Sequence, residues 1–118
     1  MITFKKVKVC CLLIFIFLNI LYIAPGYSLS LRENLFKNAL ELSSGGKFNL
    51  ALQEWNRYLD SYPNDAAGLS NRGNVRLFIG DVEGSIDDQN KAISLNPAEI
   101  DPYINRGIAE EALSLIHI

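Results

Sequence analysis

Cysteine occurs only at Cys10 and Cys11 of a 118-residue chain. Nothing after them carries a thiol, which excludes disulfides and thiolate metal sites there. Histidine occurs once, at His117. A lone histidine has no partners with which to bind a metal or act as a general base. Bases are also scarce beyond the amino terminus. From residue 29 onward eight Lys and Arg stand against 13 Asp and Glu, a net charge of −5. Nucleic acid is bound largely through Lys and Arg contacts to phosphate, so that class of partner is not expected. No phosphate-cradling glycine loop and no nucleophile elbow is present. The stretch DVEGSIDDQ lacks the alternating oxygen ligands of a calcium loop. Asp87-Asp88 and Glu110-Glu111 are adjacent acids. Neighbours on a helix point about 100° apart, so each pair reads as a solvated face and not as a carboxylate dyad. These absences leave no catalytic residue, no cofactor and no metal to expect.

Long apolar runs are also few, and the one present is at the start. Lys5, Lys6 and Lys8 precede VCCLLIFIFLNILYI, residues 9–23, which is followed by APGYS with small Gly26 and Ser28. A positive start, a short apolar core and a small-residue exit describe a secretory signal. The run is shorter than the ~20 residues that cross a bilayer comfortably. Residues 1–28 are therefore expected to be a signal peptide cleaved after Ser28, the alternative being a membrane anchor formed by residues 9–23. The protein is then exported, or anchored, and touches membrane only through this segment. Anchored repeats that face the cytoplasm remain a further option.

The rest of the chain repeats. Residues 32–65, 66–99 and 100–112 align at a step of 34. Pro63 and Pro97, Gly46 and Gly80, Gly73 and Gly107, and Asn71 and Asn105 each differ by that step. Within each unit the apolar residues recur at helical spacing, and no strand alternation appears. Leu35, Ala39 and Leu42 mark one helix. Gly45-Gly46 breaks it, and Phe48, Ala51, Leu52, Trp55, Tyr58 and Leu59 mark the next, stopped by Pro63. The second unit gives helices over 66–79 and 82–95, separated by Gly80-Asp81 and stopped by Pro97. Glycines inside helices each cost about 1 kcal/mol relative to alanine. Gly73 and Gly107 at one register therefore predict close helix approach, with Ala51 and Ala92 as small counterparts.

This pattern resembles the tetratricopeptide repeat (TPR), a family of paired antiparallel helices stacked into a superhelix. Leu69, Asn71, Gly73, Asn74, Gly80-Asp81, Ile86, Lys91-Ala92, Leu95 and Pro97 carry the resemblance in the second repeat. Leu35, Ala39, Gly46, Ala51, Leu52, Trp55, Leu59 and Pro63 carry it in the first. Ser85, Gln89 and Arg76 depart from the apolar or small residues usual at their positions, which is expected to weaken the core of repeat two. The fold implied is all-α, an α-α superhelix of about two and a half repeats over residues 29–112, preceded by the signal or anchor helix.

The third repeat opens with Ile100, Tyr103, Asn105, Gly107 and Ala109. A turn is expected near Ser114, but the chain reads LSLIHI over residues 113–118. Those six residues match one translated frame of a widely used sequencing adapter. They are expected to be non-native, the alternative being an apolar tail docked on repeat two. The natural protein is expected to be longer, because such arrays want about three units and polar caps.

The resemblance implies a concave face lined by the first helix of each pair. By register it would comprise Glu33, Phe36, Lys37 and Leu40; then Ser70, Asn71, Asn74, Leu77 and Phe78; then Asp101, Ile104, Asn105 and Ile108. Asn71 and Asn105 can each donate and accept, as the backbone of an extended peptide requires. One TPR subset clamps the C-terminal carboxylate of chaperones with Lys and Arg. Of the matching positions Glu33, Lys37, Asn71, Asp101 and Asn105, only Asn71 fits, and the acids would repel a carboxylate. The expected function is a non-enzymatic scaffold that holds a protein or peptide. The alternative is the recognition part of a longer exported enzyme.

Overall fold

The computed structural model describes the backbone of residues 4–117, and the side chains of that range apart from residues 4–5, 19–25 and 27–28. Five helices are present among the described residues: α1 (Phe4–Ser44), α2 (Phe48–Ser61), α3 (Ala66–Phe78), α4 (Val82–Leu95) and α5 (Asp101–Ile116). The chain divides into two compact units, Met1–Glu33 and Asn34–Ile118.

The described residues of the first unit belong to α1. Apolar side chains from Val7 to Leu18 are exposed along it, Phe15 and Phe17 among the most open. No helix of the described residues is long and apolar enough to cross a membrane. The side chains of the expected signal exit, Ala24, Pro25, Tyr27 and Ser28, lie outside the described residues.

In the second unit two turns and two corners repeat the same backbone hydrogen bonds. Gly46 and Gly80 adopt positive φ, 72° and 89°, which side-chain-bearing residues rarely take. Each closes its turn in the same way: Lys47 N–H donates to Leu42 O at 3.0 Å, and Asp81 N–H to Arg76 O at 2.9 Å. The Pro63 and Pro97 corners are equivalent too, with Asp65 N–H on Tyr62 O and Glu99 N–H on Asn96 O, both at 3.3 Å. Aspartate starts two of the helices. Asp65 accepts from Gly68 N–H and Asp81 from Gly84 N–H, each at 3.0 Å, satisfying a donor that the helix leaves free. α5 has no such cap bond and begins instead with Pro102 in its first turn.

The core sits between the pairs. Ala39, Ala51, Trp55, Tyr58, Leu59, Leu69, Val75 and Ala92 form one buried cluster, joined by half-buried Leu35, Phe36 and Leu42 from the C-terminal part of α1. Phe36 meets Trp55 and Tyr58 edge-on, with ring centroids 5.0 and 5.4 Å apart, an arrangement that suits the ring quadrupoles. The Trp55 indole N–H donates to Ser43 Oγ at 2.9 Å, so the buried ring leaves no polar atom stranded.

Close approach holds at one of the two expected glycines. A Cβ on Gly73 would meet Gln89 Nε2 at 2.6 Å and Asp88 Cβ at 3.2 Å. A Cβ on Gly107 would meet nothing within 4 Å. Among the described residues no helix lies against that side of α5, so the close approach expected there is absent. α5 also runs on to Ile116, past the turn expected near Ser114. Leu115 and Ile116 are exposed, so a docked apolar tail is not what these two side chains form; Ile118 lies outside the described residues.

Gln89 and Arg76 find polar partners between α3 and α4, while the buried Gln89 Oε1 and Ser85 Oγ are left without a hydrogen bond, a cost to repeat two. Gln89 is fully buried, and its amide donates to Ser70 O at 3.0 Å and Asn74 Oδ1 at 3.3 Å. Arg76 Nη1 lies 3.1 Å from Asp88 Oδ2. Asp88 is 4% exposed and takes a fork of two bonds from Arg72, at 2.8 and 2.7 Å. The solvated face expected of Asp87-Asp88 therefore holds for Asp87 alone. A polar lattice between α3 and α4 fills the space where apolar residues were expected.

Candidate functional site

α3 and α5 are the first helices of successive pairs, and they lie side by side. Between them opens a cavity of about 280 Å³, lined by Ala66, Ala67, Ser70, Asn71 and Asn74 from α3, Asn96 and Glu99 from the α4–α5 corner, and Asp101, Pro102 and Asn105 from α5. The helical period explains the set. Ala67, Ser70, Asn71 and Asn74 fall on one stripe of α3, as Asp101 and Asn105 do on α5.

Hydrogen bonds fix the floor. Asn105 Nδ2 donates to Ser70 Oγ at 3.2 Å and ties the two helices across the cavity. Ser70 is buried, and its carbonyl is held by Gln89 from behind. Asn71 Nδ2 back-bonds to Ala67 O at 2.9 Å, which sets the orientation of its amide. The result is a half-open recess rich in amide groups with small alanine walls. It can satisfy the donors and acceptors of an extended backbone, and it contains no nucleophile–base pair. Among the described residues no three His, Cys, Asp or Glu side chains converge as metal ligands would.

Of the expected groove residues, the cavity gathers Ser70, Asn71, Asn74, Asp101 and Asn105. The others lie elsewhere. Phe36 packs edge-on against Trp55 and Tyr58 and does not line this cavity. Phe78 stacks flat on Phe48, centroids 4.6 Å apart, at the far end of α3. Lys37 pairs with Glu41 one turn on, and Leu40 is exposed beside it. Leu77 is half-buried, Ile104 and Ile108 are exposed on α5, and none of the three lines the cavity. Glu33 belongs to the first unit. Sequence reasoning missed Ala66, Ala67 and Pro102 on the first helices themselves, and Asn96 and Glu99 at the α4–α5 corner. Asn96 and Glu99 follow the second helix of the pair, and a register reading that takes only first helices passes over that corner.

No protein-family model and no curated protein matches the chain. Solved structures do. The TPR2AB-domain:pHSP90 complex of yeast Sti1 superposes with a TM-score of 0.67 at 26% identity, over 70% of this chain and 32% of that one. The first TPR of Spaghetti (RPAP3) bound to the HSP90 peptide SRMEEVD gives 0.67 at 22%, over 73% of this chain and 68% of that one. The Arabidopsis OM64 TPR domain gives 0.69 at 20%, over 72% and 70%. The chain thus spans about a third of the first of these and about two thirds of the others. With helix pairs repeating every 34 residues, equivalent glycine turns and proline corners, and these neighbours, the second unit has the fold of tetratricopeptide-repeat domains.

Proposed function

We propose that the second unit is a protein-binding scaffold whose guest, an extended peptide or a loop of a partner protein, lies between α3 and α5. The observation that carries this reading is the amide-rich recess itself, with Asn71, Asn74, Asn96 and Asn105 converging on one cavity. Side-chain amides both donate and accept, so they can pair with a strand's backbone whatever its side chains are. The similar structure from Sti1 is a pHSP90 complex and that from Spaghetti is bound to an HSP90 peptide, which supports the use of this fold for protein or peptide capture. No step of chemistry is asked of the residues present.

Export or tethering belongs to the same proposal. Lys5, Lys6 and Lys8 ahead of an apolar run support a signal at residues 1–28, and the exposed apolar side chains from Val7 to Leu18 are those a translocation machinery or a membrane would cover. Mass spectrometry of the protein recovered from an expressing cell tests it. A mature chain beginning near Leu29 is expected; an intact start in the cytosolic fraction overturns it.

Affinity capture of partners tests the scaffold. Replacing both Asn71 and Asn105 by Ala is expected to lower recovery of the bound protein about tenfold, since two groove amides are lost. Equal recovery by the altered and unaltered chains would remove the groove from the account.

A further inference from the structure

The charge of the recess selects among guests. Resting on the groove reading, we infer that the cavity between α3 and α5 takes a cationic segment, a Lys or Arg side chain flanked by extended backbone, and not an acidic one.

Both charged side chains in the lining are carboxylates, Glu99 and Asp101. The bases of the same two helices are engaged elsewhere. Arg72 is forked onto Asp88 and also donates to Asn56 Oδ1 at 3.1 Å. Arg106, one repeat on, donates to Asn90 Oδ1 at 2.9 Å and lies 3.6 Å from Glu110. Arg76 pairs with Asp88 and donates to Gly84 O, so all three guanidinium groups of α3 and α5 are held on residues outside the lining, which has no base to meet a carboxylate. Amide oxygens supply the remaining contacts. Asn74, Asn96 and Asn105 each carry a carbonyl oxygen that can accept from an ammonium or guanidinium, as hydrated cations require when they leave water. Size agrees with charge, since a recess of about 280 Å³ has room for a long basic side chain with its stem against Ala66 and Ala67.

The contrast with the similar structure from Spaghetti is chemical. Its peptide, SRMEEVD, ends in three acids among four residues. Such a peptide brought here would set its carboxylates beside Glu99 and Asp101, and like charges at close range cost binding. Helix-end stabilisation alone would explain Asp101, which sits in the first turn of α5 where negative charge is favoured. It does not explain the absence of bases from the lining.

Short peptide libraries, otherwise randomised, with Lys, Gln or Glu fixed at two central positions provide the probe. Retention of each on the immobilised full chain is measured at low and high salt. The Lys library is expected to be retained about tenfold more than the Gln library at low salt, the Glu library least, and the preference to shrink in high salt. Changing Glu99→Gln together with Asp101→Asn is expected to level the three libraries while thermal melting confirms that the chain stays folded. A preference for Gln or Glu, or a Lys preference that survives both substitutions, overturns the inference. If binding is lost with Asn71→Ala and Asn105→Ala while charge makes no difference, the groove stands and the charge selection falls. If those two changes leave retention of every library untouched, both fall.

Discussion

Two glycines at one register carry opposite consequences. Gly73 faces Gln89 and Asp88 of α4 at distances that a methyl group cannot accept without movement. Gly73→Ala is expected to destabilise the chain by about 1–3 kcal/mol, the usual cost of overpacking. Gly107 has open space where that methyl would go. Gly107→Ala is expected to stabilise by about 0.5–1 kcal/mol, through helix propensity alone. Urea denaturation of the two variants checks both signs at once. The same register is fully legible in the sequence; the opposite environments are not, because a neighbour in space leaves no mark at the position it covers. Asp88 makes the point again. Beside Asp87 it reads as surface, yet it is buried under Arg72 and Arg76. Asp88→Asn removes the buried charge, leaving Arg72 with Asn56 alone and Arg76 with Asp81 and Gly84 O, so a loss of about 3 kcal/mol is expected by the same measurement.

At the scale of helices, boundaries were the most readable feature, and the reason is local chemistry. Gly46 and Gly80 end their helices through positive φ, and Pro63 and Pro97 stop theirs by lacking a donor, so four residues mark four ends without tertiary help. The end of α5 has neither signal, and the helix runs to Ile116 through residues where the repeat register would put a turn. Faces were harder to read than ends. Phe36 sits on the helix expected to line the groove but turns to the Trp55 and Tyr58 rings, because an aromatic cluster buries more surface than an open recess does. Trp55 is the keystone of α2, fully buried and bonded to Ser43. Trp55→Ala is expected to cost about 3–5 kcal/mol and to unfold the α1–α2 pair, which far-ultraviolet circular dichroism would report as lost helix.

For the whole chain, the architecture followed from a period of 34 residues, because a helix pair that recurs without change must pack on its neighbour in one way. The recess between α3 and α5 followed in part. Ser70, Asn71, Asn74, Asp101 and Asn105 are residues that register had placed in the groove, Ala66, Ala67 and Pro102 are not, and Asn96 and Glu99 enter from a corner that only the packed structure brings round. The scaffold reading depends on that recess being the place where a guest lies. Nitrogen-labelled chain observed by NMR during titration with the Lys-bearing peptide library tests it most directly, through the side-chain amide signals. Shifts concentrated at Asn71, Asn74, Asn96 and Asn105 are predicted, with those of Asn56 and Asn90 unmoved. Shifts at Asn56 and Asn90 with the four recess amides silent would contradict the account.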